Sequence, residues 1–477
     1  MCPDADLAFA SIAEVGRLYR SRRLSPVELT QIMLQRIEGL NPRINAYLTV
    51  SAESAFLEAK AAESALCVKA RKKSRRDLGP LHGIPLSLKD NLYTKDVRTT
   101  GGSQILRDFV PLHDAAVVAS LKNAGAVLLG KTNLHEFAYG VTSNNPHFGP
   151  VRNPWDLERI PGGSSGGSAA ALAAGFCYGS IGTDTGGSIR IPASLCGIAG
   201  LKPGIGRVSI DGAIPLSATL DFVGPMARNV GDTALLFEAI GTRAKNERRP
   251  SASRVPSPRR RPRIGVPKHF FFDVVSAEVQ QAFDAALVPL KKLGAKLKEV
   301  SLPYLQESEK AGNEIAWAEA TLYHQEAGWY PARSAEYGED VRARLEMGEK
   351  VTAVEYLKAL ELREKFIAGF HLALLENQVD VLVTPTTPIP APRIAEEKVS
   401  IGGKEHSTRA LLLRLNRPAN LAGIPAISIP CGLTMQGLPV GLQFMAGVTD
   451  EPLLIELAAR FEQASPLNAR PRLGATE

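Results

Sequence analysis

Residues 162–168 (GGSSGGS) and residues 184–190 (DTGGSIR) are the stretches that decide the fold and the chemistry of this chain. The first stretch places three serines among four glycines, and the second puts Ser188 directly after a Gly-Gly turn at the predicted start of a helix. Consecutive backbone amides in such a turn can converge on a developing negative charge. Glycines suit this position because a Cβ atom would block the close approach of a substrate. Each stretch on its own is also compatible with a flexible loop.

A lysine at the end of a predicted strand allows the two Gly/Ser stretches to be interpreted together, as parts of one site. Residues 83–91 (GIPLSLKDN) predict a short strand that ends on Lys89. With the two Gly/Ser stretches, this segment resembles the amidase signature family. In that family the catalytic lysine lies in G-x-P-x-x-x-K-D-N, a structural serine in P-G-G-S-S-G-G and the nucleophile in D-T-G-G-S-I-R. The spacings match as well, with 75 positions from Lys89 to Ser164 and 24 from Ser164 to Ser188.

The resemblance covers nearly the whole chain, from about residue 10 to residue 464. Further segments that look like family landmarks lie at residues 130–133, 153–155, 200–203, 384–388 and 420–425. The resemblance implies a single amidase-signature fold of the α/β class, with a mixed, largely parallel β-sheet covered by α-helices on both faces. The alternation of predicted helices and strands along the chain also indicates such a sheet.

We expect one domain over residues 1–477, because strand signals lie on both sides of an Arg/Pro-rich segment. The expected parts are an N-terminal helical segment (1–76), the catalytic signature region (77–240), an Arg/Pro-rich surface linker (241–263) and a C-terminal half that completes the same sheet (264–477). Two capping boxes, Ser11 with Glu14 and Ser25 with Glu28, predict the first helices.

The positive charge of the chain is local. The formal net charge is +7, but residues 241–268 alone hold ten Lys and Arg against one acid, Glu247, which leaves −2 for the rest. The run Arg259-Arg260-Arg261 could contact nucleic acid. Four prolines surround it and no aromatic residue precedes Phe270, so we favour a solvated linker and expect no nucleic-acid partner.

Composition excludes several classes of protein. The 477 residues are 44% hydrophobic and 22% charged, as in an ordinary globular protein. The five cysteines are scattered and contain no C-x-x-C, so neither a disulfide framework nor a zinc site is indicated. The N-terminus lacks signal-peptide features, and the longest apolar stretch, 169–176, is too short to cross a membrane. These features predict a cytoplasmic protein without a membrane partner.

The resemblance assigns roles to three residues. Ser188 would be the nucleophile that forms an acyl-enzyme, Ser164 would relay its proton, and Lys89 would be the base. A serine hydroxyl is a poor nucleophile until a neighbouring group removes its proton. Lys89 must therefore be neutral, and burial in its apolar strand would lower its pKa. In the family the peptide bond that precedes the relay serine, here that of Gly163, is cis.

Further roles follow from the same resemblance. The oxyanion hole would be formed by four backbone amides, those of Thr185, Gly186, Gly187 and Ser188. Three side chains would support the turn, with Asp184 and Arg190 paired and Ser165 donating a hydrogen bond. The substrate would contact Ala138, Tyr139 and Gly163. Tyr139 lies where many relatives carry a methionine that lines the acyl pocket, which suggests a flat or apolar substrate, although ordinary packing explains an aromatic residue equally well.

Two other motifs are typical of different chemistry, but the sequence around them does not fit that chemistry. Residues 125–132 (GAVLLGKT) match the phosphate-loop pattern letter for letter. A phosphate loop follows a strand and opens a helix, whereas these residues follow a predicted helix and form a buried strand. His82, His135 and His147 could suggest a Ser-His-Asp triad, but there is no G-x-S-x-G elbow and a lysine base needs no histidine. We expect structural or loop roles for them.

We therefore expect an amidohydrolase that acts on small-molecule amides, with apolar or aryl groups favoured and carbamates or esters possible, without metal or cofactor. Alternatives within the family are a carbamate-specific, urethanase-type hydrolase and the glutamine amidotransferase A subunit of a tRNA-dependent complex. Arg363 falls where those subunits carry an arginine, but Leu412-Leu413 replace their acid. The missing carboxylate argues against glutamine, and a monomer or homodimer is expected.

Overall fold

Fifteen β-strands and fourteen α-helices alternate along the part of the chain that the structure, a computed structural model, describes, namely residues 7–72, 78–242 and 262–473. The strands are β1 (Tyr47–Val50), β2 (Pro85–Lys89), β3 (Val127–Thr132), β4 (Asn144–Asn145), β5 (Gly149–Pro150), β6 (Gly179–Asp184), β7 (Ala199–Lys202), β8 (Phe222–Ala227), β9 (Arg263–Pro267), β10 (Lys296–Val300), β11 (Val381–Pro385), β12 (Lys398–Ile401), β13 (Lys404–Ser407), β14 (Ala426–Leu433) and β15 (Pro439–Ala446).

The helices follow the same order. They are α1 (Ile12–Arg20), α2 (Pro26–Ile44), α3 (Ala52–Lys72), α4 (Ala116–Asn123), α5 (Gly166–Ala173), α6 (Arg190–Cys196), α7 (Val230–Ile240), α8 (Ala277–Lys292), α9 (Leu305–Glu326), α10 (Glu339–Glu349), α11 (Ala353–Asn377), α12 (Thr408–Arg414), α13 (Arg417–Leu421) and α14 (Glu451–Ala464). The predicted capping boxes of Ser11 and Ser25 are both formed. None of the described helices is long and apolar enough to span a membrane.

Eleven strands form one sheet in the order β1-β3-β2-β6-β8-β7-β14-β15-β11-β9-β10. Strands from the first half of the chain occupy one side of this sheet, and strands from the second half occupy the other. The halves join where β7 pairs antiparallel with β14, from Lys202 opposite Ala426 to Gly200 opposite Ser428. One continuous sheet is therefore built from both halves, as the alternation of elements predicts.

The sheet is mixed, but it is not largely parallel as we expected. Parallel pairs join β2 to β3 and β6, and β9 to β10 and β11. The other six pairings are antiparallel. The connection of β14 to β15 shows the reason, because the five residues 434–438 are too few for the crossover that a parallel pair requires.

Two glycines on β6 show that helices cover both faces. Their side-chain positions point to opposite faces because they are three residues apart. A Cβ atom on Gly179 would lie 2.5 Å from Leu236 of α7, whereas one on Gly182 would lie 2.8 Å from the hydroxyl of Ser165, just before α5. Helix α5 is made of small residues except for Leu172, and all of it is buried, so it packs close to the sheet and carries the Gly/Ser stretch into the core.

Most of the predicted linker, residues 243–261, lies outside the described residues, and its interpretation stays a prediction. The described chain resumes at residue 262, and Arg263 opens β9 at once. There Arg263 forms an ion pair with Asp380, with 2.8 Å between Nη2 and Oδ1.

The residues that match the phosphate-loop pattern form a strand instead. Lys131 belongs to β3 and is buried, with its Nζ atom 3.4 Å from Asp90. The same ammonium donates hydrogen bonds of 2.6 Å to the Leu92 carbonyl and to the Thr99 hydroxyl. Lys131 therefore holds the segment after β2 against β3 and does not project from a loop.

Gly130 is required by strand packing. Its φ is +146°, and a Cβ atom there would lie 2.1 Å from the carbonyl oxygen of Thr49 on the neighbouring strand β1. We expect Gly130→Ala to lower the free energy of unfolding by about 2 kcal/mol or more, because the backbone of β1 must shift. The measurement is the unfolding midpoint in urea, followed by circular dichroism.

Gly39→Ala is the matched control. Gly39 is exposed on α2, and a Cβ atom there would have no neighbour within 4 Å. Alanine should stabilise the helix by about 0.5–1 kcal/mol. Equal stabilities for the two variants would contradict the close approach of β1 and β3.

Candidate active site

Lys89 and Ser164, predicted as base and relay, meet in the core. Lys89 is the last residue of β2 and is completely buried, and its Nζ atom lies 2.8 Å from the Ser164 hydroxyl. The same Nζ lies 2.7 Å from the hydroxyl of Thr183, on the parallel neighbour β6. Parallel strands bring their carboxyl ends to one edge of a sheet, so Thr183 arrives beside Lys89. The side-chain amide of Asn91 donates a hydrogen bond to the hydroxyl of the same threonine at 3.2 Å.

The surroundings of Lys89 make its neutral amine accessible near pH 7. Burial lowers the pKa of its ammonium to about 7, because removal from water disfavours the charged form. The carboxylates of Asp221 and Asp184 act in the opposite direction and limit the fall. With this pKa, roughly half of the lysines carry a neutral amine at pH 7, which can accept a proton.

Ser188, on the second Gly/Ser stretch, contacts the first stretch through its backbone. Its carbonyl accepts a 3.2 Å hydrogen bond from the Ser165 amide, which ties the two stretches together. Ser188 is 5% exposed, and its hydroxyl forms no hydrogen bond with any part of the chain that the structure describes. The Gly163-Ser164 peptide bond is cis.

A buried ion pair organises the turn that carries Ser188. The Arg190 guanidinium donates two hydrogen bonds to the Asp184 carboxylate, 2.9 Å from Nη2 and 3.1 Å from Nε. Burial acts to raise the pKa of Asp184, but Arg190 outweighs it and holds the pKa well below its usual range. The third predicted support is also formed, since the Ser165 hydroxyl donates to the Thr183 carbonyl at 3.1 Å.

The carboxylate of Asp184 also accepts a hydrogen bond from one of the backbone amides that we expected in the oxyanion hole. The Gly187 amide donates to it at 2.8 Å, and the Ile189 amide donates at 3.1 Å. In this structure the Gly187 amide therefore serves the turn and not a ligand. The other predicted donors, the amides of Thr185, Gly186 and Ser188, have no hydrogen-bond partner among the described residues.

Several residues that contact the turn of Ser188 were not predicted from the sequence. Asn416, Asn420 and Gln443 come from the C-terminal half and supply oxygens to the Arg190 guanidinium at 2.9, 2.6 and 2.6 Å. Only Asn420 belongs to a segment that resembles a family landmark. Asp221 accepts from the Thr185 hydroxyl and from the Leu216 amide, and no local pattern marks it.

The predicted substrate contacts are buried. Tyr139 is 2% exposed and belongs to a cluster with Phe137, and the predicted contact Ala138 is buried beside them. Gly163 is needed by the loop itself, because a Cβ atom would lie 2.9 Å from the amide of Ser143. The contact of these residues with substrate stays a prediction, and the burial of Tyr139 favours ordinary packing of its ring.

The three histidines have partners other than the serines. His135 lies 2.8 Å from Asp340, and His147 lies 2.8 Å from Glu136. His82 lies 3.0 Å from the Ala62 carbonyl. Within the described residues, no group of three or more His, Cys, Asp or Glu side chains could hold a metal ion.

A buried lysine–serine pair beside a Gly-Ser turn, carried on a mixed α/β sheet, is an arrangement suited to a serine hydrolase with a lysine base. The chain belongs to the Amidase family, whose model matches residues 28–455. It is therefore an amidase-signature enzyme that acts on amide C–N bonds.

Individual relatives agree with this assignment. The chain is 40% identical to the A subunit of the glutamyl-tRNA(Gln) amidotransferase of Moorella thermoacetica, over 98% of this chain and 99% of that protein. A solved structure described as an unexpected vestigial protein complex that reveals the evolutionary origins of an s-triazine catabolic enzyme superposes with a TM-score of 0.88, at 33% identity, and covers 97% of this chain and 100% of that one. A crystal structure of an amidase gives 0.85 at 35% identity, with 96% and 100% covered.

The pH dependence of serine reactivity tests the environment of Lys89. A fluorophosphonate labels an activated serine without knowledge of the natural substrate. We expect its labelling rate to fall below about pH 7, because the ammonium form of Lys89 cannot accept a proton. Asp221→Asn should move this midpoint to lower pH, since the variant loses a negative charge that favours the ammonium form.

Asp211→Asn is the control, because Asp211 is exposed and its variant should keep the midpoint. An unchanged or higher midpoint in Asp221→Asn would contradict the assigned coupling between Asp221 and Lys89.

Proposed function

We propose that this chain hydrolyses the C–N bond of small-molecule amides through an acyl-enzyme on Ser188. The observation that carries the proposal is the 2.8 Å contact between Lys89 Nζ and the Ser164 hydroxyl, beside the turn that presents Ser188. The neutral amine takes the Ser164 proton while Ser164 takes the proton of Ser188. The Ser188 oxygen then bonds to the amide carbon, and the carbonyl oxygen becomes an oxyanion.

The remaining steps return every proton. The amides of Thr185, Gly186 and Ser188 would donate to the oxyanion, and one such donor is typically worth roughly 3–4 kcal/mol in the transition state. When the C–N bond breaks, the leaving amine takes a proton that passes from Lys89 through Ser164. A water molecule then attacks the acyl-enzyme by the same relay and releases the carboxylic acid. Carbamates and esters pass through an equivalent intermediate and belong to the proposed substrate range.

Substitution of the three residues tests this mechanism. Ser188→Ala should remove labelling and amide hydrolysis completely, because no other group replaces the nucleophile. Lys89→Met and Ser164→Ala should lower both by at least about 100-fold, the contribution expected from general base catalysis. The measurements are fluorophosphonate labelling and product release from a panel of amides, anilides, carbamates and esters.

Lys350→Met is the control for loss of a lysine, because Lys350 is exposed at the end of α10. Circular dichroism confirms that each variant folds. Retention of wild-type rates in a folded Lys89→Met protein would overturn the assignment of the base.

A second function, glutamine amidotransfer within a multi-protein complex, is favoured by sequence similarity to the Moorella protein. The chemistry of the site is less favourable. Leu413, one of the two leucines that replace the expected acid, lies beside the oxyanion turn, with its Cδ2 3.0 Å from the Cβ position of Gly186. The Arg363 guanidinium donates hydrogen bonds to the backbone carbonyls of Leu421 at 3.0 Å and of Thr219 at 2.9 Å.

Ammonia release by the isolated chain separates the two functions. We expect hydrolysis of other primary amides by the chain alone, with glutamine the poorer substrate because Leu412 and Leu413 replace the acid that the amidotransferase subunits carry. The measurement is ammonia release from each amide at equal concentration, with Ser188→Ala as the blank. Ammonia release from glutamine alone, and only after the other amidotransferase components are added, would establish the second function instead.

A further inference from the structure

Three arginines, Arg344, Arg409 and Arg417, lie close enough to Tyr139 to act electrostatically on its hydroxyl, and we call them the arginine cluster. Burial raises the pKa of Tyr139 to about 12, and all three guanidiniums act against this rise. The Arg417 Nε atom would lie 3.4 Å from a Cβ atom on Gly186, so this guanidinium borders the turn.

The fold makes room for this arginine. Arg417 opens α13 and is 7% exposed, and its stem passes α9 at Gly312. A Cβ atom on Gly312 would lie 2.6 Å from the Arg417 Cδ atom. The position of Arg417 is therefore built into the packing of α9 against α13.

Only one member of the cluster has a charge partner among the described residues. Arg344 donates to Asp340 at 2.9 Å, and Asp340 also holds His135 at 2.8 Å. Arg417 donates through Nη1 to the neutral amide of Asn313. Neither Arg409 nor Arg417 forms an ion pair with a carboxylate in the part of the chain that the structure describes.

Part of the hydrogen-bonding capacity of Arg409, Arg417 and Tyr139 is also unused. The Nε atoms of Arg409 and Arg417 and the hydroxyl of Tyr139 are buried without a hydrogen-bond partner among the described residues. Glu309 acts on Arg417 electrostatically, but it pairs with Arg414 at 3.5 Å. A buried donor without a partner is costly, and a buried charge without a counter-charge is more so.

The electrostatic state of the cluster shows the same deficit of negative charge. Burial lowers the pKa of Arg409 to about 9, and the positive charges of Arg344 and Arg417 lower it further, whereas Tyr139 and Asp340 offset only part of this fall. Burial also lowers the pKa of Arg417 to about 10. A bound anion would relieve both effects, and the planar guanidinium matches the two oxygens of a carboxylate.

We infer that Arg409 and Arg417, together with the hydroxyl of Tyr139, bind a carboxylate of the substrate, so that the preferred substrates are amides that bear a carboxylate and no ammonium group. The inference rests on the proposed function and names its substrate class. An ammonium group near the two unpaired guanidiniums would be repelled. Leu413 supplies no carboxylate to hold such a group, which separates these substrates from glutamine.

Matched amides test the inference. Glutaramate is glutamine without its ammonium group, and butanamide is nearly its neutral counterpart. We expect kcat/KM for the best member of the series malonamate, succinamate, glutaramate and adipamate to exceed that for butanamide and for glutamine by about 10- to 100-fold, as for a charge-assisted hydrogen bond. N-Butanoylglycine, with its carboxylate on the amine side, shows on which side of the scissile bond the carboxylate lies.

Variants of the two arginines test whether these residues cause the preference for a carboxylate. Arg417→Gln and Arg409→Gln should each bring the ratio of kcat/KM for the half-amide and for butanamide toward one, mainly through a higher KM for the half-amide. Arg342→Gln should keep the ratio, because Arg342 pairs with Glu346 on the exposed side of α10. Fluorophosphonate labelling of Ser188 confirms that each variant retains a reactive site.

The outcomes separate this inference from the proposed function. Hydrolysis that depends on Ser188 but shows no preference for a carboxylate would overturn the inference and leave the function intact. Absence of labelling at Ser188 would overturn the function itself. If Ser188 is labelled but no panel amide is cleaved, protection from labelling by a half-amide, and not by butanamide, supports the carboxylate site, whereas equal or absent protection refutes it.

Discussion

The buried ion pair of Asp184 and Arg190 is the interaction on which the rest of the site depends. Both side chains are removed from water, so the pair is favourable only if every remaining donor and acceptor is satisfied. The backbone amides of the turn donate hydrogen bonds to the carboxylate. The guanidinium donates to oxygens of Asn416, Asn420 and Gln443. The geometry of the turn around Ser188 is therefore fixed by residues from both halves of the chain. This constraint explains why one continuous sheet, and not two domains, carries the site.

The second constraint is the placement of a lysine where water cannot reach it. Strand register brings Lys89 between Ser164 and Thr183, which both offer oxygens to its amine. These oxygens hold the side chain in place in either protonation state, because hydroxyl groups can donate or accept. Asp221 keeps enough negative potential nearby to prevent a larger fall of the lysine pKa. The pKa of Lys89 is thus set by desolvation and by carboxylates that form no direct ion pair with it among the described residues.

Local motifs, through their resemblance to the amidase signature family, were sufficient to select Lys89 and Ser164 as neighbours, whereas their roles as base and relay stay predictions. The contact between Lys89 and Ser164 could be anticipated across 75 positions, as could strands β2 and β3. Asp221, Gln443 and the arginine cluster could not, because their roles arise from tertiary packing that leaves no periodic or local pattern. The preponderance of antiparallel pairs escaped prediction for the same reason. The Gly187 amide was assigned to a ligand because a sequence does not reveal which acceptor an amide will find.

The antiparallel junction of β7 with β14 has a consequence for biosynthesis. On the ribosome, Lys89, Ser164 and Ser188 emerge long before residues 416–443, whose oxygens complete the shell around Arg190. Until those residues leave the exit tunnel, the nascent chain lacks the partners that shape the turn, and it also presents β7 as an unpaired sheet edge. A chain that ends before residue 416 therefore lacks the oxygens that hold Arg190 and leaves one edge of β7 without its neighbour β14, an edge on which another strand could pair.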